Sequence, residues 1–291
     1  MKRKTRILNI FREIFRVPFL ENRLRNISMG RSTSSLPARL VPNNYQYPVG
    51  SFRSFDYKGI NLKLDIHDYV SHYLYFGFKD SAHEKLMSLV KEGDVLLDIG
   101  TNYGTTILQF ARIIGDKGKA YGFEPDPVNF EICQDNLVLN RFSNISVENI
   151  GLGRQTGEAI LVIDTESNRG GNRIGNPSAT QEWHKVQIRT LDDWIRYNDI
   201  HKIDLIKIDV EGFEMEVLSG AVDILSKLSP PLFVELDNNN LSQQKSSAKE
   251  LVTFLEGYDY RITHAESGET VSSNKDLSNC HFDIVCIRDK S

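Results

Sequence analysis

The chain has 291 residues, 40% of them hydrophobic and 25% charged, which are globular averages and exclude wholesale disorder, collagen and a coiled-coil rod. No stretch approaches about 18 uninterrupted apolar residues, so no transmembrane helix is predicted, and a net charge of −4 gives no overall attraction to nucleic acid. The three cysteines, Cys133, Cys280 and Cys286, are an odd number with no CxxC; this argues against a disulfide framework or a cysteine zinc site and for a reducing compartment, the cytoplasm.

Charge is unevenly spread. Residues 1–26 hold eight basic side chains (Lys2, Arg3, Lys4, Arg6, Arg12, Arg16, Arg23, Arg25) against Glu13 and Glu21, a net of +6 that leaves −10 on the rest. Ile7, Ile10, Phe11 and Ile14 recur at helical spacing, and Arg12, Glu13 and Arg16 break the apolar run that a secretory signal needs. Such a helix either docks on its own body or a partner, or lies on an anionic membrane surface. Residues 27–50 read as a linker, because Pro37, Pro42 and Pro48 join a serine-rich stretch. The expected division is therefore an arm and linker over 1–50 and a folded domain over 51–291.

Beyond the linker, 52–66 alternates as a hairpin and 68–91 reads as helix, ending at Lys91-Glu92-Gly93. A strand–helix alternation follows: strand 95–99, helix 105–114, strand 120–123, helix 128–140 after Pro127, strand 145–147. Segments 159–163 and 186–190 read as an inserted strand pair around the polar loop 164–185. Strand 205–209, helix 213–227, strand 232–235, helix 246–256 and strands 259–264 and 281–287 complete the chain. This alternation predicts an α/β fold with a parallel sheet covered on both faces.

In such a sheet, ligands bind beyond the carboxyl ends of the strands. The first core strand ends in Asp98-Ile99-Gly100-Thr101-Asn102-Tyr103-Gly104. Its glycines allow a tight turn, the next helix N-terminus offers N–H groups to a carboxylate, and Asp98 faces a cationic amine. Asp98 stands where a GxGxxG motif has its first glycine, which argues against a pyrophosphate and for an amino-acid-like ligand. Glu124 ends the next strand, placed to accept ribose hydroxyls. On the 205–209 strand, alternation puts Leu205, Lys207 and Asp209 on one face. Asp209, Glu211, Glu235 and Asp237 then gather at one mouth. They fit a hard cation, a base for a hydroxyl proton, or acids whose pairing with Lys207 merely fixes the strand ends. Seven histidines without HExxH, and the absence of GxSxG and GxxxxGK[ST], leave a metalloprotease, a serine hydrolase and a phosphate-loop enzyme unsupported.

DIGTNYG at 98–104, FEPDP at 123–127, TLDDW at 190–194, IDLIKIDVEGFEMEVLSGA at 203–221 and FVEL at 233–236 together resemble the FkbM family of S-adenosylmethionine-dependent methyltransferases. The resemblance runs from about Glu84 to Arg288, and Thr101 stands where that family usually has alanine. It implies a class I Rossmann-like methyltransferase sheet with an antiparallel last strand. Asp98, Gly100, Asn102 and Gly104 would hold the methionine end of S-adenosyl-L-methionine, Glu124 the ribose, and Asn149 would lie near the adenine. The implied acceptor is a small molecule or glycan bearing a hydroxyl group. Catalysis would fall to Asp209, Glu211, Lys207 and Glu235, with a divalent cation on Asp209, Glu235 and Asp237 if one binds. An NAD-dependent oxidoreductase and a non-catalytic cofactor-binding module are the rival expectations. The polar loop with Asn168, Arg169, Asn172 and Arg173 would cover the mouth.

Overall fold

The computed structural model describes residues 3–165 and 167–288, and of residues 3–6 the backbone alone. Four of the arm's eight basic side chains, Lys2, Arg3, Lys4 and Arg6, thus lie outside the described residues. The chain forms two compact units. Among the described residues, no helix is long and apolar enough to cross a membrane.

The first unit comprises Met1–Ser81 with Thr165–Gly170. It holds helices α1 (Arg3–Glu13), α2 (Pro18–Ser28) and α3 (Leu36–Leu40), the hairpin β1 (Phe52–Tyr57) and β2 (Ile60–Asp65), and helix α4 (Tyr69–Phe76). Lys58 and Gly59 both take positive φ, 52° and 85°, so a two-residue turn closes the hairpin with the twist its strands need. Segment 27–50, expected as irregular linker, carries α3 and a 3-10 turn at Asn44–Gln46. Pro37 sits in the first turn of α3, where its missing N–H costs nothing, and Asn43 with Gln46 forms a capping box. Ile60, Leu62, Leu64, Ile66 and Phe76 are buried in this unit. Glu21 is buried too, gripped by the Arg53 guanidinium at 2.8 and 3.1 Å and by the Tyr75 hydroxyl at 2.9 Å.

The second unit comprises Ala82–Asp164 and Gly171–Ser291. Helix α5 (Ser81–Leu89) leads into it, and the expected single helix over 68–91 is two helices. Gly77 ends α4 in the left-handed conformation at φ 63°, and α5 starts afresh at Ser81. Then come β3 (Val95–Ile99), α6 (Thr105–Ile114), β4 (Lys119–Phe123), α7 (Pro127–Asn140), β5 (Ile145–Glu148), β6 (Gly151–Leu152), β7 (Gly157–Val162), β8 (Arg173–Ile174), β9 (Trp183–Arg189) and α8 (Leu191–Tyr197). The chain continues through β10 (Leu205–Ile208), α9 (Glu214–Ser219), α10 (Val222–Lys227), β11 (Leu232–Asp237), α11 (Asn238–Gln243), α12 (Ala248–Glu256), β12 (Tyr260–His264) and β13 (His281–Arg288).

Seven strands form the main sheet in the order β12-β13-β11-β10-β3-β4-β5. β13 runs antiparallel to β11 and β12, while the β11-β10-β3-β4-β5 pairings are parallel. This is the class I methyltransferase arrangement with its reversed last strand. From β3 the chain builds outward to β4 and β5, then returns to place β10 on the other side of β3. The crevice beyond β3 and β10 is therefore the switch point where such sheets bind ligands. The inserted pair is larger than expected, a four-stranded sheet in the order β6-β9-β7-β8. All four residues of β10 are buried, as a strand covered on both faces requires.

TLDDW is a buttress. Thr190 caps α8, and Asp192 accepts from the N–H groups of Asp223 and Ile224, closing the start of α10. Trp194 packs edge-on against Phe123, ring centroids 4.8 Å apart, and donates to Glu148 at 2.8 Å.

The helix expected over 213–227 is broken at Gly220-Ala221 into α9 and α10. A Cβ at Gly220 would overlap the Gly153 carbonyl, so the backbone after β6 presses directly on this break. Gly220→Ala should cost about 1–3 kcal/mol, the usual penalty of overpacking. Thermal unfolding should show a Tm lower by about 2–4 °C per kcal/mol; an unchanged Tm would mean that the contact is slack.

Candidate active site

The turn after β3 is shaped by contacts that leave no room for side chains. Gly100 has φ 82°, and a Cβ there would overlap the Asp209 carbonyl oxygen. Gly104, at φ 85°, would bring a Cβ to 2.8 Å from Cys133 Sγ on α7. Between them Asn102 takes φ 50°, a conformation asparagine tolerates better than most residues. Thr101 proves to be a structural bridge. Its hydroxyl donates to the Asp98 carbonyl at 2.8 Å and accepts from the Phe123 N–H at 3.0 Å, tying the end of β3 to that of β4. Gly122 faces this hydroxyl, and its lack of a side chain admits the threonine.

Glu124 ends β4, buried, and both its oxygens are engaged. One accepts from the Asn102 N–H at 2.7 Å and the other from the Asp126 N–H at 2.9 Å. Burial pushes its carboxyl up to about 7 against those two bonds, with the Asp126 charge adding to the rise. Asn149, an exposed residue after β5, donates to the carbonyls of Glu124 and Pro125 at 2.8 and 3.1 Å, so it steadies the same turn. Asp126 caps α7 and accepts from Asn172 at 2.6 Å, which fastens the polar loop near β8 to this edge.

Asp98 is fully buried, and neither of its oxygens receives a hydrogen bond. Burial raises its carboxyl to about 6, against the pull of Lys207. Lys207 lies beside it in register on β10. Its ammonium donates to the Gly100 carbonyl at 2.8 Å and stands 3.4 Å from both Asp98 Oδ1 and Asp209 Oδ2. Burial disfavours this charge, but Asp209 and Asp98 outweigh it and hold the lysine above its ordinary range. Desolvating an ammonium is compensated only by such convergent acceptors. Lys207 thus couples the turn after β3 to the turn after β10.

That second turn, Val210–Gly212, is braced from below. Glu214, buried at the start of α9, accepts from the N–H groups of Val210 and Gly212, both at 3.1 Å. Gly212 sits at φ 97°, and a Cβ there would overlap the Asn240 carbonyl. Glu211 is left-handed at φ 53° and accepts from Asn240 Nδ2 at 2.7 Å.

Asp209, Glu211 and Glu235 each bring an oxygen within 4.8 Å of the other two. Like charges this close cannot all ionise cheaply. Burial and the neighbouring Asp209, Glu214 and Asp237 push Glu211 up to about 8, with Arg173 opposing. Glu235 rises to about 10 through burial, Asp209 and Glu211, and its Oε2 is buried without a hydrogen-bond partner. Asp237, expected in the same group, turns away. It caps α11 through Asn239 and Asn240 and meets His281 at 2.7 Å.

The structure therefore brings Asp98, Gly100, Asn102, Gly104 and Glu124 into one turn system and Asp209, Glu211 and Glu235 into another, joined by Lys207. Sequence reasoning missed Thr101 as a bridge, Glu214 as a brace and Asn240 as the partner of Glu211. Glu214 had a signal, an acid within the most family-specific segment; Asn240, on a distant helix, had none.

Residues 98–262 match the family model of the methyltransferase FkbM domain. The chain is 24% identical over 197 residues to the 2-O-methyltransferase NoeI of Sinorhizobium fredii, an alignment spanning 61% of this chain and 78% of that protein. It is 27% identical over 146 residues to the hexuronic acid methyltransferase AglP of Haloferax volcanii, spanning 50% of this chain and about half, 56%, of that protein. The crystal structure of an FkbM methyltransferase from Methylobacillus flagellatus superposes with a TM-score of 0.43 at 19% identity, covering 68% of this chain and 44% of that one.

Two outcomes follow from the charges. Lys207→Met keeps the length of the stem but strands the buried Asp98, and should cost about 3–5 kcal/mol in urea unfolding. For the acids, the folded state favours the protonated form. The stability that Glu211 and Glu235 contribute is complete below their ordinary value of 4.5 and is lost as pH rises through about 8 and about 10. Glu235→Gln should therefore raise Tm at pH 8 relative to wild type, by about 2–4 °C for each kcal/mol relieved, and change it little at pH 4. An equal gain at both values would show that repulsion is not the cause.

Proposed function

The chain belongs to the FkbM methyltransferase family, and we propose that it transfers a methyl group from S-adenosyl-L-methionine to a hydroxyl of a sugar, a glycan or a polyketide-like alcohol. The observation that carries the reading is a pair of adjacent buried polar clusters at the switch point of the sheet. On one side, Asp98 is buried with the Lys207 ammonium 3.4 Å from one of its oxygens, and Asn102 Oδ1 is buried without a donor, beside a glycine turn and the N-terminus of α6. These features fit the ammonium and carboxylate of an amino-acid-like cofactor. On the other side stand three clustered carboxylates.

When bound, S-adenosyl-L-methionine supplies a methyl group already activated on a sulfonium. The protein's share is then to hold the acceptor oxygen in line and to take its proton. Asp98, Gly100, Asn102 and Gly104 would receive the methionine end. Glu124 keeps free lone pairs beyond its two backbone bonds and would accept from the ribose, and Asn149 would lie near the adenine. Asp209 is half exposed at the mouth, beside Lys207, and is our choice for the base. Glu211 and Glu235, whose carboxyls burial and neighbouring acids push up toward the protonated form, would hydrogen-bond the acceptor. The relatives NoeI and AglP, a 2-O-methyltransferase and a hexuronic acid methyltransferase, support a sugar-like acceptor. All three cysteines are free and buried, which supports action in the cytoplasm.

A second reading of the acids rests on their convergence within 4.8 Å: Asp209, Glu211 and Glu235 would suit a divalent cation bound through oxygen. One assay separates the two, using labelled methyl donor and a panel of sugars, glycans and alcohols. Asp209→Asn should lower kcat on the order of 10²–10⁴-fold, while calorimetry shows cofactor affinity retained. Normal turnover of that variant would remove Asp209 from the mechanism. Wild-type activity abolished by chelator and restored by Mg²⁺ or Mn²⁺ would assign the acids to a metal.

A further inference from the structure

The N-terminal helix is amphipathic, as its spacing predicts, but it is seated the other way round from an ordinary docked helix. Its polar face points inward. Asn9 donates to the Tyr45 hydroxyl at 3.0 Å, Arg12 Nε to the Arg39 carbonyl at 2.9 Å, and Gln46 donates to the Asn9 carbonyl at 3.0 Å and to Glu13 at 2.7 Å. Arg16 lies over the Tyr47 ring, 5.6 Å from its centroid. Asn9, Arg12 and Glu13 are one helical face; Ile7, Ile10, Phe11 and Ile14 are the opposite one.

That opposite face is bare. Ile10 is 65% exposed, Phe11 58% and Ile14 56%. Val17 and Phe19, 69% exposed, at the start of α2, and Leu36, 78% exposed, on α3, are bare as well, and α3 packs against both α1 and α2. Large apolar side chains exposed together on one helical face mark an interaction site. Arg23 on α2, Arg39 on α3 and Arg31 in the segment between them are exposed.

We propose that this surface is the seat of an anionic phospholipid bilayer, with Ile10, Phe11, Ile14 and Phe19 entering the headgroup boundary and the arginines meeting lipid phosphates. Charge selects the occupant. Residues 1–81 carry fourteen basic and six acidic side chains, a net of +8, on a chain whose total is −4. Pairing two copies through this face would oppose two such charges, whereas an anionic leaflet complements them. Exposed apolar side chains together with exposed arginines are the composition of an interfacial helix.

The test uses the full chain and sedimentation with vesicles of phosphatidylcholine alone or mixed with phosphatidylglycerol. Wild type should pellet with the mixed vesicles at low salt, stay in solution with the neutral ones, and be released as salt screens the charge. The variant Ile10→Ser/Phe11→Ser/Ile14→Ser, altered only at exposed positions, should bind roughly tenfold more weakly with an unchanged thermal melt. Arg23→Glu/Arg39→Glu should weaken binding to a similar degree through charge alone. Wild type left in the supernatant at low salt, or apolar variants that bind like wild type, would overturn the proposal. So would a lipid-independent dimer, seen by analytical ultracentrifugation, that the same substitutions dissociate.

Discussion

One ammonium group sits where β3 and β10 part, and both turns of the site lean on it. Lys207 is buried, yet its Nζ reaches a backbone carbonyl of the first turn and carboxylates on both strands. A buried charge of this kind is tolerated only when its acceptors converge, and removing any of them leaves the ammonium less compensated. The Gly100 carbonyl can be one of those acceptors because the turn has no side chain in the way, and the Asp209 carbonyl fills the space where a Cβ would stand. Charge pairing and backbone proximity thus impose the same geometry, and the two strands cannot shift register independently.

The carboxylates show the opposite economy. Asp98 has a cation in contact, whereas Glu211 and Glu235 are pressed against like charge in a poorly solvated place. Folded structures normally avoid such crowding, since protonation or a counter-charge is needed to relieve it. Here the crowding is braced rather than relaxed: Glu214 and Asn240 hold Glu211 in a left-handed conformation that its own backbone disfavours. Strain and electrostatic repulsion kept together by neighbours set this cluster apart from a core that only packs.

In the first unit the same accounting runs through polar contacts. A buried Glu21 is matched by Arg53 and Tyr75, and α1 is held by amide and guanidinium bonds rather than by its apolar stripe. The hydrophobic effect, which usually decides how an amphipathic helix sits, is left unspent on the outer face.

Much was legible in the sequence because it depends on local rules. Strand–helix alternation gave the parallel sheet, Asp98 and the glycines at 100 and 104 marked the tight turn after β3, and period-2 alternation placed Lys207 beside Asp209. Breaks inside helices, at Gly77 and Gly220, were not legible, since an isolated glycine in a helical pattern is tolerated until something presses against it. Asn240 as the partner of Glu211, the diversion of Asp237 to a helix cap, and the work of Thr101 between two strand ends all depend on residues far apart in the chain meeting in space. The orientation of α1 belongs with them. Spacing determined that the helix has two faces; only the tertiary structure decided which one turns inward, because that choice rests on hydrogen-bond partners some thirty residues away, which no local period encodes.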